Sequence, residues 1–204
     1  MTEYNVAQFV DILQSLFPLS DSEKQTLISG IKALNLKSGD SIIKENTTAN
    51  DLFFLQKGLV RSFYFKDYKE INTEFFFENN FLTALTSFLT GEKTKLNFHC
   101  IEDCEIIVIP KNLIDQLLSE DNKWYRLTHT ILENEFIKKC RRESSFLLHD
   151  SAERYFYFLS LFPKSETRIP LFHIASYLGI SPETLSRIRS RKVDSIDISQ
   201  VDNI

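Results

Sequence analysis

Apolar positions recur along this chain with two different periods, and the switches between them mark its parts. Residues 4–17 carry Val6, Phe9, Val10, Leu13, Leu16 and Phe17 at helical spacing, ended by Pro18. Ser20 and Glu23 form a capping box for a second short helix reaching Ile31. From Leu34 the period drops to two and β-formers dominate. LKSGDSII, DLFFLQKGLVRSFYF, EINTEFFF, KLNFHCIED and CEIIVIP predict short antiparallel strands separated by turns at Gly39 and Gly58. Such a run implies a compact β-barrel or jelly roll, with the first helices covering an edge of it.

The helical period returns after Pro110. A short helix over 111–118 precedes a long one, capped by Asp121 or Asn122 and running to about Leu148. Some 27 residues would give a rod of ~40 Å, longer than a small barrel needs for itself. Trp124, Leu127 and Ile131 open a 3-4 track that continues through Asn134, Lys138 and Arg141. Leu132, Phe136 and Cys140 mark a second track. One track is expected to face a partner's helix and the other the chain's own β-domain. Trp124, Leu127, Ile131 and Asn134 are taken as the dimer positions, with Asn134 setting register. Asp150 with Glu153 then caps a new helix, whose Tyr155, Phe156, Phe158, Leu159 and Leu161 supply a second, smaller core closed by Pro163.

Residues 171–192, LFHIASYLGISPETLSRIRSRK, predict two short helices and a tight turn. Ile174, Ala175 and Leu178 form one apolar face, and Gly179 suits a positive φ. Ser181 is a good N-cap, Pro182 fits the first helical position, and Glu183 suits the dipole. Leu185 and Ile188 face inward, leaving Arg187, Arg189, Arg191 and Lys192 outside. Ala175, Gly179 and Leu185 stand where a helix-turn-helix needs a small residue, a glycine and an apolar anchor. A second helix of this kind lies in the DNA major groove.

Charge sharpens this picture. The 204 residues carry a formal net charge of −4. Yet Lys164, Arg168, Arg187, Arg189, Arg191 and Lys192 face only Glu166 and Glu183 over residues 164–192. A local basic surface on an acidic protein suits phosphate contact without general stickiness. The 18 phenylalanines suffice for a packed core. No apolar run reaches membrane-spanning length and no signal-peptide pattern follows Met1, so a cytoplasmic protein without a membrane partner is expected. Cys100, Cys104 and Cys140 are odd in number, lack a CxxC pair, and predict reduced, mostly buried thiols rather than a metal site. His99 is expected to be a hydrogen-bonded strand residue rather than a haem ligand.

L-x-x-G-D-x-I (Leu36, Gly39, Asp40, Ile42) followed by L-F-F-L-x-x-G-x-V (residues 52–60) resembles the opening of a cyclic-nucleotide-binding domain. With the long helix and helix-turn-helix behind it, the chain resembles the Crp/Fnr family of bacterial transcription regulators. The resemblance implies an α+β fold: an N-terminal β jelly roll with flanking helices, a long dimerisation helix, and a C-terminal winged-helix-like helix-turn-helix. The expected divisions are a sensor domain over 1–121, a dimerisation helix over 122–149 and a DNA-binding domain over 150–204, with the hinge at Asp150. Members that bind cyclic AMP hold the ribose with a Gly-Glu pair and the cyclic phosphate with an Arg-Ser pair. Here those positions become Thr83-Ala84, followed by Leu85, and Thr94-Lys95, while Lys139 and Cys140 replace the adenine-contacting hydroxyls of the long helix. Alanine accepts no hydrogen bond and threonine lacks the guanidinium fork, so cyclic AMP should bind weakly or not at all. A different small-molecule effector, or none, follows. The absence of an N-terminal cysteine cluster excludes the iron–sulfur branch, and no cofactor is expected.

Ser181-Pro182-Glu183-Thr184-Leu185-Ser186-Arg187 resembles the family's S-R-E-T-V-x-R recognition run. By that match Glu183 accepts from a cytosine amine and Arg187 reaches guanine, while Ser181, Thr184 and Ser186 touch phosphate or base edges. Arg189, Arg191 and Lys192 remain as phosphate anchors or solvated charges. Pro182 departs from the pattern, replacing an arginine that reads guanine, so a different sequence preference is expected. The acidic tail VDSIDISQVDNI predicts a reduced or absent wing. The expected function is sequence-specific DNA binding by a homodimeric transcription regulator, with double-stranded DNA, a second copy, RNA polymerase and a small-molecule effector as partners. The alternative is a ligand-sensing or scaffold module whose degenerate C-terminal domain binds protein instead. An enzyme is not expected, because GxSxG, HExxH and P-loop motifs are missing.

Overall fold

The computed structural model describes residues 3–163 and 165–191. Helices α1 (Glu3–Leu16) and α2 (Asp21–Gly30) lead into eight strands: β1 (Lys32–Leu36), β2 (Ser41–Ile43), β3 (Asp51–Lys57), β4 (Val60–Lys66), β5 (Lys69–Phe76), β6 (Asn80–Leu82), β7 (Leu96–Cys100) and β8 (Cys104–Pro110). A short helix, α3 (Leu85–Thr90), interrupts them. Then come α4 (Lys111–Glu120), a 3-10 turn (Asn122–Trp124), α5 (Tyr125–Leu148), α6 (Ser151–Leu161), α7 (Ser165–Arg168), α8 (Leu171–Leu178) and α9 (Pro182–Arg191).

The strands form two antiparallel four-stranded sheets, ordered β1-β8-β3-β6 and β2-β7-β4-β5. The long apolar run of residues 51–65 has to break at Gly58, where φ is +100° and an added Cβ would lie 2.5 Å from the Asp103 carbonyl oxygen. Phe9 of α1 packs on Phe54 of β3 at 5.0 Å between ring centroids, and Phe54 on Phe81 at the same distance. The first helix therefore closes one face of the sandwich rather than a mere edge. Both expected capping boxes form, Ser20 with Glu23 and Asp150 with Glu153.

Helix α5 has 24 residues, a rod of about 36 Å. Its assignment of faces differs from expectation. Trp124 and Leu127, taken above as partner-facing, are buried in the chain's own core, and Ile131 packs against that core. The cause is α2: Glu23 accepts from Trp124 Nε1 at 3.3 Å and from Lys123 Nζ at 2.7 Å, tying the start of α5 to the N-terminal helices. Asn134 is exposed, and so are Leu132, Phe136 and Cys140 of the second track. Cys140 is thus an exception to the expected burial of thiols.

The C-terminal helices share a core with the sandwich. Tyr155, Phe158, Ile169, Ile174, Leu178 and Leu185 pack around Leu59, which precedes β4, and Phe75 of β5. Phe156 and Leu159 join it partly buried, whereas Leu161 is exposed, contrary to its expected place in that core.

Helix α8 lies along β5, which ends its sheet and would otherwise present unpaired backbone groups. Asn72 joins the two. Its backbone N–H donates to Ser176 Oγ at 3.0 Å, and its side-chain amide donates to His173 Nδ1 at 3.2 Å and to the His173 carbonyl at 3.3 Å. Its Oδ1 accepts from Arg61 at 3.0 Å, and its carbonyl from Arg142 at 3.3 Å. A second tie is ionic. Arg168 of α7 forks onto Glu78 (2.6 and 3.0 Å) and Glu102 (2.6 and 2.9 Å), and donates to the Gly58 carbonyl at 3.1 Å. Bidentate guanidinium–carboxylate pairs of this kind are the strongest ionic contacts a protein surface offers.

Candidate nucleic-acid interface and effector cavity

Helices α8 and α9 meet at Gly179, which is left-handed at φ 68°, ψ 33°. A Cβ there would come within 3.0 Å of the Phe146 ring, so glycine answers both the turn and the close approach of α5. Ile174, Ala175 and Leu185 are buried between the helices. Ser181 Oγ accepts from the Thr184 backbone N–H at 3.2 Å, the N-cap that starts α9. The opposite face of α9 is open: Ser181, Pro182, Glu183, Ser186 and Arg187 are exposed and Thr184 is half-buried. Glu183 and Arg187 stand one turn apart on that face. A hydrogen bond from Ser181 lowers the Glu183 carboxyl further below neutrality, so it is an ionised acceptor.

Arg189 is placed otherwise than expected. It donates to Glu166 of α7 at 2.9 Å, and Glu166 also accepts from the Tyr155 hydroxyl. That guanidinium therefore braces α9 against the domain's own core instead of standing free. Arg191 closes α9, and Lys192 and the tail expected to form a reduced wing lie outside the described residues. Leu171 and Phe172, at the start of α8, are exposed.

A cavity of about 710 Å³ opens between the sandwich and α5. Thr83, Ala84, Leu85, Thr94, Lys95 and Lys139 all line it, as does Phe136 of the exposed track. Cys140 does not, because α5 turns it outward. The hydroxyls of the α3 region are committed to backbone. Thr83 donates to the Asp51 carbonyl at 2.9 Å, Ser87 accepts from the Ala49 N–H at 2.9 Å, and Thr94 accepts from the Leu96 N–H at 2.9 Å. The loop thus satisfies these hydroxyls itself, and Ala84 has no side-chain acceptor to offer a ribose. Its charged lining is cationic in sum: Lys93, Lys95, Lys139 and Arg142 against Glu92 and Glu135. The walls include Phe76 stacked on Phe98 at 5.7 Å.

Local pattern did not mark Asn72 or the His173 imidazole on the inner face of α8, and Arg168, expected on the basic phosphate-facing surface, is instead committed to Glu78 and Glu102. The partners that tie them across the two parts of the fold lie 66 to 110 residues away in the chain, so no local spacing marks them. His99 rests edge-on against the Phe63 ring at 4.8 Å, as a strand residue with no ligand set around it. Among the described residues no cluster of three or more His, Cys, Asp or Glu is arranged to hold a metal ion, and no helix is long and apolar enough to cross a membrane.

These features define a β-sandwich joined by a long helix to a C-terminal helical pair. Residues 33–121 match the cyclic nucleotide-binding domain family. The chain as a whole has a Crp/Fnr-like fold. A protein described as a transcriptional regulator of the Crp/Fnr family from Eubacterium rectale superposes with a TM-score of 0.69 at 17% identity, over 90% of this chain and 91% of that one. The c-di-GMP-responsive global regulator CLP of Xanthomonas campestris gives 0.68 at 17% identity, over 86% and 93%. FixK2 of Bradyrhizobium japonicum gives 0.69 at 17%, over 79% and 83%. No curated protein matches the sequence.

Proposed function

We propose that this chain is a cytoplasmic, homodimeric transcription regulator that reads double-stranded DNA with α9, acting as the second helix of a helix-turn-helix, and answers to an effector other than cyclic AMP. The observation that carries the proposal is the open face of α9, where Ser181, Glu183, Ser186 and Arg187 are exposed on a Crp/Fnr-like fold. Arg187 suits a guanine edge and Glu183 a cytosine amine, while Ser181, Pro182, Thr184 and Ser186 border them. Arg191 and Lys192 would neutralise phosphates. The reading domain begins at Asp150, and RNA polymerase is the partner through which a bound dimer would act.

One recognition helix per chain favours two chains per site, their half-sites one helical turn apart. The exposed Leu132, Phe136, Cys140 and Leu147 lie along one side of α5 and give a second copy its apolar seam. Trp124 and Leu127 are buried in the chain's own core and do not contribute to that seam.

Selection of bound sequences from random duplexes tests the proposal, followed by affinity measured against salt. Specific binding that weakens steeply with salt is expected. Arg187→Ala and Glu183→Ala should each relax preference at one base position by about 1–3 kcal/mol. Unchanged preference in both variants would remove those assignments. Failure to select any sequence would favour the protein-binding alternative.

A further inference from the structure

A second cavity, of about 190 Å³, lies at the junction of β5, α5, α6 and α8. It exceeds the roughly 150 Å³ of an engineered apolar cavity that admits benzene. Its interior is aromatic and aliphatic, with Phe146, Tyr157, Phe158, Leu161 and Tyr177 among its walls. Four cations border it, and three of them are engaged. Lys138 pairs with Glu135 at 2.9 Å. Arg142 donates to the Tyr177 carbonyl at 2.9 Å and Arg154 to the His149 carbonyl at 2.9 Å, both stacking on Phe146. Arg141 makes no hydrogen bond or ion pair with the described residues and is exposed at the rim.

One acid, Glu74 of β5, also borders the cavity. It is 3% exposed and accepts a hydrogen bond from the Phe75 N–H at 3.3 Å. Burial pushes its carboxyl toward the neutral form. The wall is therefore cationic in sum, with an inner polar group that does not repel an anion.

We infer that this junction is a binding site for a small amphipathic carboxylate, its apolar body of about one ring's size among the phenylalanines and its anionic head on Arg141. A cation seeking Glu74 would have to enter past four positive side chains, which is why an acid is the better fit. The inference does not depend on DNA binding, and it concerns a different cavity from the one beneath α3.

Calorimetric titration of the full chain with 4-phenylbutyrate, 4-phenylbutanol and 4-phenylbutylamine tests it. The acid should bind saturably and more tightly than the alcohol, and the amine should bind least. Arg141→Gln should weaken the acid by about tenfold and leave the alcohol unchanged. Leu161→Trp, at the half-open mouth, should weaken both, whereas Lys139→Gln in the larger cavity should weaken neither. No saturable binding of the acid would overturn the inference. So would preference for the amine, indifference of the acid to Arg141→Gln, or sensitivity to Lys139→Gln in place of Arg141→Gln.

Discussion

Single side chains hold the C-terminal helices where they are, and acid should loosen them. His173 is buried under α8, and burial, followed by the nearby Arg61 charge, lowers its imidazole from 6.5 to about 4. Its Nδ1 accepts from Asn72, so the neutral ring is the one that fits. Glu70 and His99 face the same cluster. Because the folded value lies below the unfolded one, this contribution is complete above about pH 6.5 and declines as the pH falls toward 4. Denaturant titrations should show stability falling by up to about 1.4 kcal/mol per pH unit in that window. His173→Gln, which keeps an acceptor for Asn72, should flatten the slope. Lower on the pH scale, Glu78 behaves in the same direction: the hydrogen bond from Arg168 holds its carboxyl below 4.5, so its stabilisation is present above that pH and lost beneath it. Arg168→Ala removes both forks and leaves two carboxylates near each other. About 1–3 kcal/mol of stability should be lost, with faster hydrogen exchange in α7 and α8 but not in β3 or β8. Uniform exchange across all four elements would show that Arg168 does not hold this interface in particular.

Among the elements, those whose signals are local were legible in the sequence. Ser20–Glu23 and Asp150–Glu153 announced their helices because a capping box spans three residues. Gly58 and Gly179 announced their turns because each meets a positive φ. The strands were legible as a run broken at Gly39 and Gly58, though not as eight, since the three-residue β6 (Asn80–Leu82) is too short to show an alternation. Helix α5 shows where local pattern stops being enough. Both of its tracks have helical spacing, and only the position of α2, fixed by Glu23, decides which one is buried. The same limit applies to Cys140, expected in the cavity beneath α3 by counting along the helix and turned away from it by the helix's rotation. Of the candidate cavity, the lining by Thr83, Ala84, Leu85, Thr94 and Lys95 was readable because those residues are near neighbours in sequence. The exposed seam carries a prediction at this scale. Phe136 is 70% exposed, so Phe136→Asp costs the folded chain little, yet it would put two carboxylates into the proposed pair of α5 helices. Sedimentation should show a monomer of unchanged helicity. A dimer that persists would place the interface elsewhere.

For the whole molecule, the sandwich, long helix and C-terminal helical pair form one packed body, and any bound ligand acts on that body. Cyclic AMP added in large excess should leave the unfolding temperature unchanged, because binding stabilises only in proportion to affinity. Loss of the bidentate phosphate contact and of the ribose acceptor removes several kcal/mol. A clear upward shift would show that the cationic rim of Lys93, Lys95 and Lys139 suffices. Phe75→Ala tests the packing between the parts. Its ring lies 5.4 Å from Tyr177 and 6.1 Å from Phe158, and its loss should cost about 3–5 kcal/mol. Chemical denaturation should then show two transitions, against a single one expected for the native chain.

That shared core also bears on engineering. Leu59 and Phe75 sit on the sandwich but complete the hydrophobic filling of the helices beyond Asp150. A chimera that transplants those helices onto a foreign sensor would leave two side chains' worth of volume unfilled and an arginine without its carboxylates, unless the recipient's strands were redesigned to match. The C-terminal helical unit is therefore not a cassette to be swapped at its linker, and its natural boundary runs through β5.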